Sequence, residues 1–198
     1  MVLQILLATL LATSALAQNK PSVVPDYKPV TGKQRFNWFV VSTVGPQSLL
    51  LSGPVSAALG TAFNKPPEYG PHWEGFGNRY GIRLTGVSTG NAIETSLGAV
   101  WGEDPRYFRS PDRAFGLRVK YVIRTTFTAP GRDGRWRPAY ARYAGNVGNN
   151  FLSNTWRVRS ASGPDDAAWR CVLGITGKMA GNAFSEFWPD VKRLIFKK

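Results

Sequence analysis

Glu94, Glu186 and His72 are the residues whose types invite acid–base or metal chemistry. Each glutamate follows a Gly-Asn-Ala step, Gly90-Asn91-Ala92 or Gly181-Asn182-Ala183, inside a stretch that is otherwise largely apolar. Paired carboxylates can share a proton or hold a cation, but a metal site needs His, Asp, Glu or Cys at ligand spacing. His72 is the only histidine and lies between Pro71 and Trp73, so it has no second imidazole to pair with. The glutamates are therefore expected to meet basic side chains, with Arg79, Arg83 and Lys178 as candidates. Gly75-Phe76-Gly77 lacks both the preceding strand and the following Lys-Ser/Thr of a phosphate loop. Cys171, the one cysteine, can form no internal disulfide, and in Trp169-Arg170-Cys171-Val172-Leu173 it reads as a small buried hydrophobe. No catalytic residue, metal ligand or cofactor is assigned, and an envelope enzyme built on these glutamates is the third of three functional readings.

Charge offers a second kind of chemistry. The 25 Lys and Arg against 12 Asp and Glu give +13, a field that draws anionic partners. Arg132, Arg135, Trp136, Arg137 and Arg142 interleave cations with aromatics, and Arg118, Lys120 and Arg124 lie on a basic amphipathic helix expected from Arg113 to about Thr128. Such surfaces hold phosphates or glycans by charge and stacking. The partners that fit are anionic lipid, lipopolysaccharide or a wall polymer. Nucleic acid fits less well, because an exported chain meets little of it.

Export follows from residues 1–17. The apolar run Leu3–Leu11 and the small residues of Ala15-Leu16-Ala17 have the form of a cleavable signal peptide, too short to span a bilayer. Residues 18–32, with Pro21, Pro25 and Pro29, read as a flexible linker, and residues 33–198 as a single helical domain. Phe36 to Asn64 carries no charge, but Gly45-Pro46 and Gly53-Pro54 divide it into two short helices, read as a buried hairpin in preference to a membrane-inserted one. From Trp73 to Trp101, apolar residues Phe76, Tyr80, Leu84, Val87, Ile93, Leu97 and Val100 recur at helical steps and should face a core. Gly131-Arg132-Asp133-Gly134 is a turn, closing a hairpin or joining helices. Further helices are expected from Pro138 to about Arg157, and from Asp166 to Trp188, where Pro189 should end the last one.

Three helices share Gly-Asn: Gly90-Asn91, Gly145-Asn146 and Gly181-Asn182. A mid-helix glycine costs close to ~1 kcal/mol, so close approach of a neighbouring helix should offset it. The repeats Gly77-Gly81, Gly86-Gly90 and Gly177-Gly181 would then form smooth grooves, with the asparagines bonding across the contacts.

The strings Trp73-Glu74-Gly75-Phe76-Gly77-Asn78-Arg79-Tyr80, Trp101-Gly102-Glu103-Asp104-Pro105-Arg106-Tyr107-Phe108, Pro138-Ala139-Tyr140-Ala141-Arg142-Tyr143 and Met179-Ala180-Gly181-Asn182-Ala183-Phe184 carry a resemblance. With Lys33-Gln34-Arg35-Phe36 and Phe151-Leu152-Ser153-Asn154, they resemble a family of uncharacterised exported proteins of acidobacterial type. The resemblance implies export and brings no activity to any position. Taken together, the residues predict an all-α bundle of about five helices with Gly/Ala-rich contacts, after a disordered N-terminal linker. The leading function is a non-enzymatic cell-envelope protein, in the periplasm or outer envelope, associating with a membrane or other anionic surface. An integral membrane bundle is the alternative.

Overall fold

A computed structural model describes residues 24–196, so the signal-peptide expectation and the first part of the linker lie outside the described residues. The described chain is helical, as the periodicity required. In order it forms α1 (Gly32–Val44), a π-helical turn (Gln47–Ser52), α2 (Gly53–Ala62), α3 (Trp73–Trp101), α4 (Phe115–Phe127), a two-stranded hairpin, α5 (Tyr140–Leu152) and α6 (Pro164–Ile195).

α1 starts at a capping box. The Thr31 hydroxyl accepts from the Gln34 N–H, while the Gln34 side chain accepts from the Thr31 N–H. Beyond Gly45-Pro46 the helix resumes with a wider turn. In a π-helix the Leu49 carbonyl faces residue 54, a proline with no N–H to give. The Tyr80 hydroxyl on α3 donates to that carbonyl instead, at 3.1 Å.

Gly102 ends α3 in the left-handed region, at φ 79°. A β-carbon there would also stand 2.7 Å from the Arg132 side chain, so both backbone and space call for glycine. The turn at Gly131–Gly134 does close a hairpin, pairing β1 (Thr128–Pro130) with β2 (Trp136–Pro138) antiparallel in the register Ala129 to Arg137. Pro138 thus belongs to a strand, and α5 begins at Tyr140. Its first turn is capped from a distance, by the Glu103 carboxylate accepting from the Ala141 N–H at 2.9 Å.

α6 runs through Pro189, where the sequence predicted an end. A proline in a helix crowds the carbonyls of the preceding turn and leaves them short of donors. The helix continues all the same, and in the turn before the proline Arg109 and Arg118 both donate to the Glu186 carbonyl. α3 is the central element. It packs against α1 and α2 on one side and α5 on the other, while α6 packs on α5 and α4.

The part of the linker from Val24 to Thr31 is non-helical, yet it is held in place. Val24 is buried and donates to the Gly134 carbonyl, Tyr27 donates to Asp104 at 3.1 Å, and Arg106 donates to the Lys28 carbonyl. Proline spacing could not show that anchoring, because its partners lie far along the chain.

Candidate functional site

Burial in this bundle is inverted. The buried hydrophobic residues are mostly small, Ala57, Ala129, Ala139, Ala141, Ala167, Ala168 and Cys171, and the bulkiest fully buried side chain is Glu186. Large apolar side chains stand outward instead: Leu50 is 77 % exposed, Phe63 72 %, Trp73 84 % and Val100 73 %. This corrects the reading of residues 36–64 as a buried hairpin, for Phe36, Val41, Val44, Leu50, Leu51, Val55, Leu59 and Phe63 face out while Arg35, Thr43, Ser48 and Ala57 face in. On α3 the expected stripe is half-buried at Phe76, Tyr80, Leu84, Val87, Ile93 and Leu97 and exposed at Val100. The buried positions of α3 are Gly75, Arg79, Gly86, Glu94 and Gly98.

The helix-packing glycines divide. The Gly90 carbonyl and the Glu94 backbone lie 2.7 and 3.2 Å from where a Gly145 β-carbon would stand, and Gly86 and Gly90 both lie against Asn149. α3 and α5 therefore meet backbone to backbone at Gly90 and Gly145. Gly181 makes no such contact, since its nearest neighbour outside α6 is the tip of Gln47 at 3.8 Å, and Gly77, Gly81 and Gly177 face open space. Spacing alone could not tell a groove that meets a helix from one that meets nothing.

All three asparagines bond across a helix contact. Asn91 donates to Thr43 on α1 at 3.0 Å, Asn146 to the Cys171 carbonyl on α6 at 2.9 Å, and buried Asn182 to Thr126 on α4 at 3.2 Å. Cys171 is buried, as its neighbours predicted.

Both glutamates are ion-paired, though with other arginines than those expected. Glu94 accepts from Arg142 at 3.1 Å, with the two side chains 10 % and 11 % exposed. Arg142 also donates to the carbonyls of Thr125, Thr126 and Thr128, which closes the C-terminal end of α4. Glu186 accepts from Arg118 at 2.6 Å, from Tyr107 at 2.8 Å and from the Ser110 N–H at 3.0 Å. Arg79 instead gathers the loop after α2, donating to the carbonyls of Lys65, Pro66 and Gly70. Arg83 donates to Ser52, and the Lys178 ammonium lies over the Trp38 ring at 5.2 Å. His72 is exposed, just ahead of α3. The recess beside Glu94 and Glu103 has no room for a water molecule, and no metal-holding group of His, Cys, Asp or Glu occurs among the described residues.

Two members of the expected anionic-surface set are thereby corrected. Arg118 and Arg142 spend their charge on interior carboxylates and carbonyls, so they do not face a partner. Lys120, Arg132, Arg135 and Arg137 are exposed, and Arg124 and Trp136 are half-buried. Arg135 and Arg137 share Asp133 at the hairpin turn, Trp136 packs edge-on against Tyr121, and Arg132 reaches the last carbonyls of α3.

Comparison with protein-family models, curated proteins and solved structures returns no match. The family resemblance of the sequence strings therefore rests on those strings alone. Taken whole, no described helix is long and apolar enough to cross a membrane.

Proposed function

We propose that the protein is a non-enzymatic component of an exported cell envelope that associates with an anionic lipid membrane, its apolar exterior in contact with acyl chains. The observation that carries the proposal is the inverted burial. In water, a bundle exposing so many large apolar side chains while sheltering Glu94, Glu186, Arg79 and Arg142 would forgo the main driving force of folding. Against lipid the arrangement is favourable. Small residues let helices touch, polar pairs hold them together, and large side chains meet hydrocarbon. The exposed cations Lys120, Arg132, Arg135 and Arg137 suit headgroup phosphates.

Flotation of the purified chain with phosphatidylglycerol vesicles tests the reading. Binding is expected at low salt, and bound protein should resist a subsequent high-salt or carbonate wash, because apolar contact is not screened. Absence of binding at low salt rejects it. Release by salt alone would leave only peripheral, electrostatic association.

A further inference from the structure

We infer that the outward face of α6 between Trp169 and Trp188 is a bilayer-facing stripe, with its Trp188 end at an anionic headgroup layer; this rests on the membrane reading above. Trp169 and Trp188 are 62 % and 40 % exposed. Nineteen steps of about 1.5 Å separate them by about 28 Å along the axis, close to the ~30 Å hydrocarbon thickness of a bilayer. Tryptophan favours both edges of that layer. Between them the exposed positions are Val172, Leu173, Thr176, Gly177 and Ala180, with no charge among them, and Gly174, which lies against Asn146 of α5; residues 181–187, nearer Trp188, are half-buried or buried.

The polar residues of the same span turn the other way. Asn182 and Glu186 are buried against α4, and Lys178 lies over Trp38 of α1. The helix fails as a lone span because its inward side is polar, whereas in a bundle only the outward side meets lipid. Charge also distinguishes the two ends. Beyond Trp188 come Lys192 and Arg193, with Arg109 and Arg113 exposed nearby in sequence to Arg118, which pairs with Glu186 and Asp190 at this end. Near Trp169 stand Asp165 and Asp166, with Arg170 turned inward onto the carbonyls of Ala161 and Asn150. The Trp188 end thus complements anionic headgroups.

Nitroxide labels at Leu173→Cys, Gly177→Cys and Ala180→Cys, in a Cys171→Ser background, test this in phosphatidylglycerol vesicles. Gly177 has open space around it, so the label should not disturb packing. The collision ratio of oxygen to a water-soluble nickel complex should peak at Gly177→Cys and Ala180→Cys, severalfold above Lys120→Cys. Protein that binds vesicles while these labels stay open to nickel would overturn the stripe and leave membrane association standing. Spin–spin broadening that excludes both reagents would also overturn it, by assigning the face to a second copy. Lack of vesicle binding removes both inferences. As an independent measurement with Cys171 intact, Trp169→Phe and Trp188→Phe should each reduce quenching by lipids brominated near the headgroup more than by lipids brominated near the chain ends. The reverse order would count against the stripe.

Discussion

The carbonyl oxygen of Gly90 lies 2.7 Å from the point where a β-carbon on Gly145 would stand, so α3 and α5 touch through their backbones. Gly145→Ala should force the helices apart and destabilise the bundle by about 1–3 kcal/mol, the usual cost of overpacking. Gly177→Ala meets nothing within reach and should stabilise by up to ~1 kcal/mol, by removing helical glycine entropy. Thermal unfolding of the two variants against the parent gives opposite signs, and equal shifts would contradict the seam.

Arg142 serves Glu94 and three carbonyls of the α4 end, while Glu94 accepts from Arg142 alone among the hydrogen bonds described. Removing one member of a buried pair costs ~3–5 kcal/mol. Arg142→Met should therefore cost more than Glu94→Gln, and the double variant should recover part of the loss. Denaturant unfolding of the two singles and the double measures it, and full additivity would show that the pair is not coupled.

Asn182 and Asn91 make the same kind of bond in different surroundings, the first buried and the second half-buried. Truncation of Asn182 leaves the Thr126 hydroxyl without its side-chain donor in a dry contact. Asn182→Ala should cost about 1–3 kcal/mol and Asn91→Ala less. Hydrogen exchange at the α4–α6 contact should rise only in the first.

Burial pushes the Glu103 carboxyl above its ordinary range, although the Ala141 N–H works against the shift. A raised folded pKa favours the protonated fold. Its contribution is complete below the unfolded value of about 4.3 and is lost as pH rises through the folded one. Glu103→Gln, which can still accept from Ala141, should raise Tm at pH 7 and make little difference at pH 4. A lower Tm at pH 7 would mean that the ionised form stabilises α5.

Helix content was readable in the sequence because it depends on local chemistry: the breaks at Gly45-Pro46 and Gly53-Pro54, and periodic spacing. That the Gly-Asn steps mark helix contacts was readable for the same reason, since a mid-helix glycine needs an offset. Where such steps face was not. Gly90 and Gly145 meet, while Gly181 meets only a side-chain tip, because direction around a helix is fixed by neighbours far along the chain.

By itself the sequence determined an excess of positive charge and a mainly helical chain. Only the tertiary structure decided that Arg118 and Arg142 are interior partners, that Val24 to Thr31 is anchored, and that residues 36–63 turn their large apolar side chains outward. The physical reason is that apolar periodicity reports one favoured face without saying what lies against it. A stripe facing a core and a stripe facing outward have the same spacing, and only the tertiary contacts tell them apart.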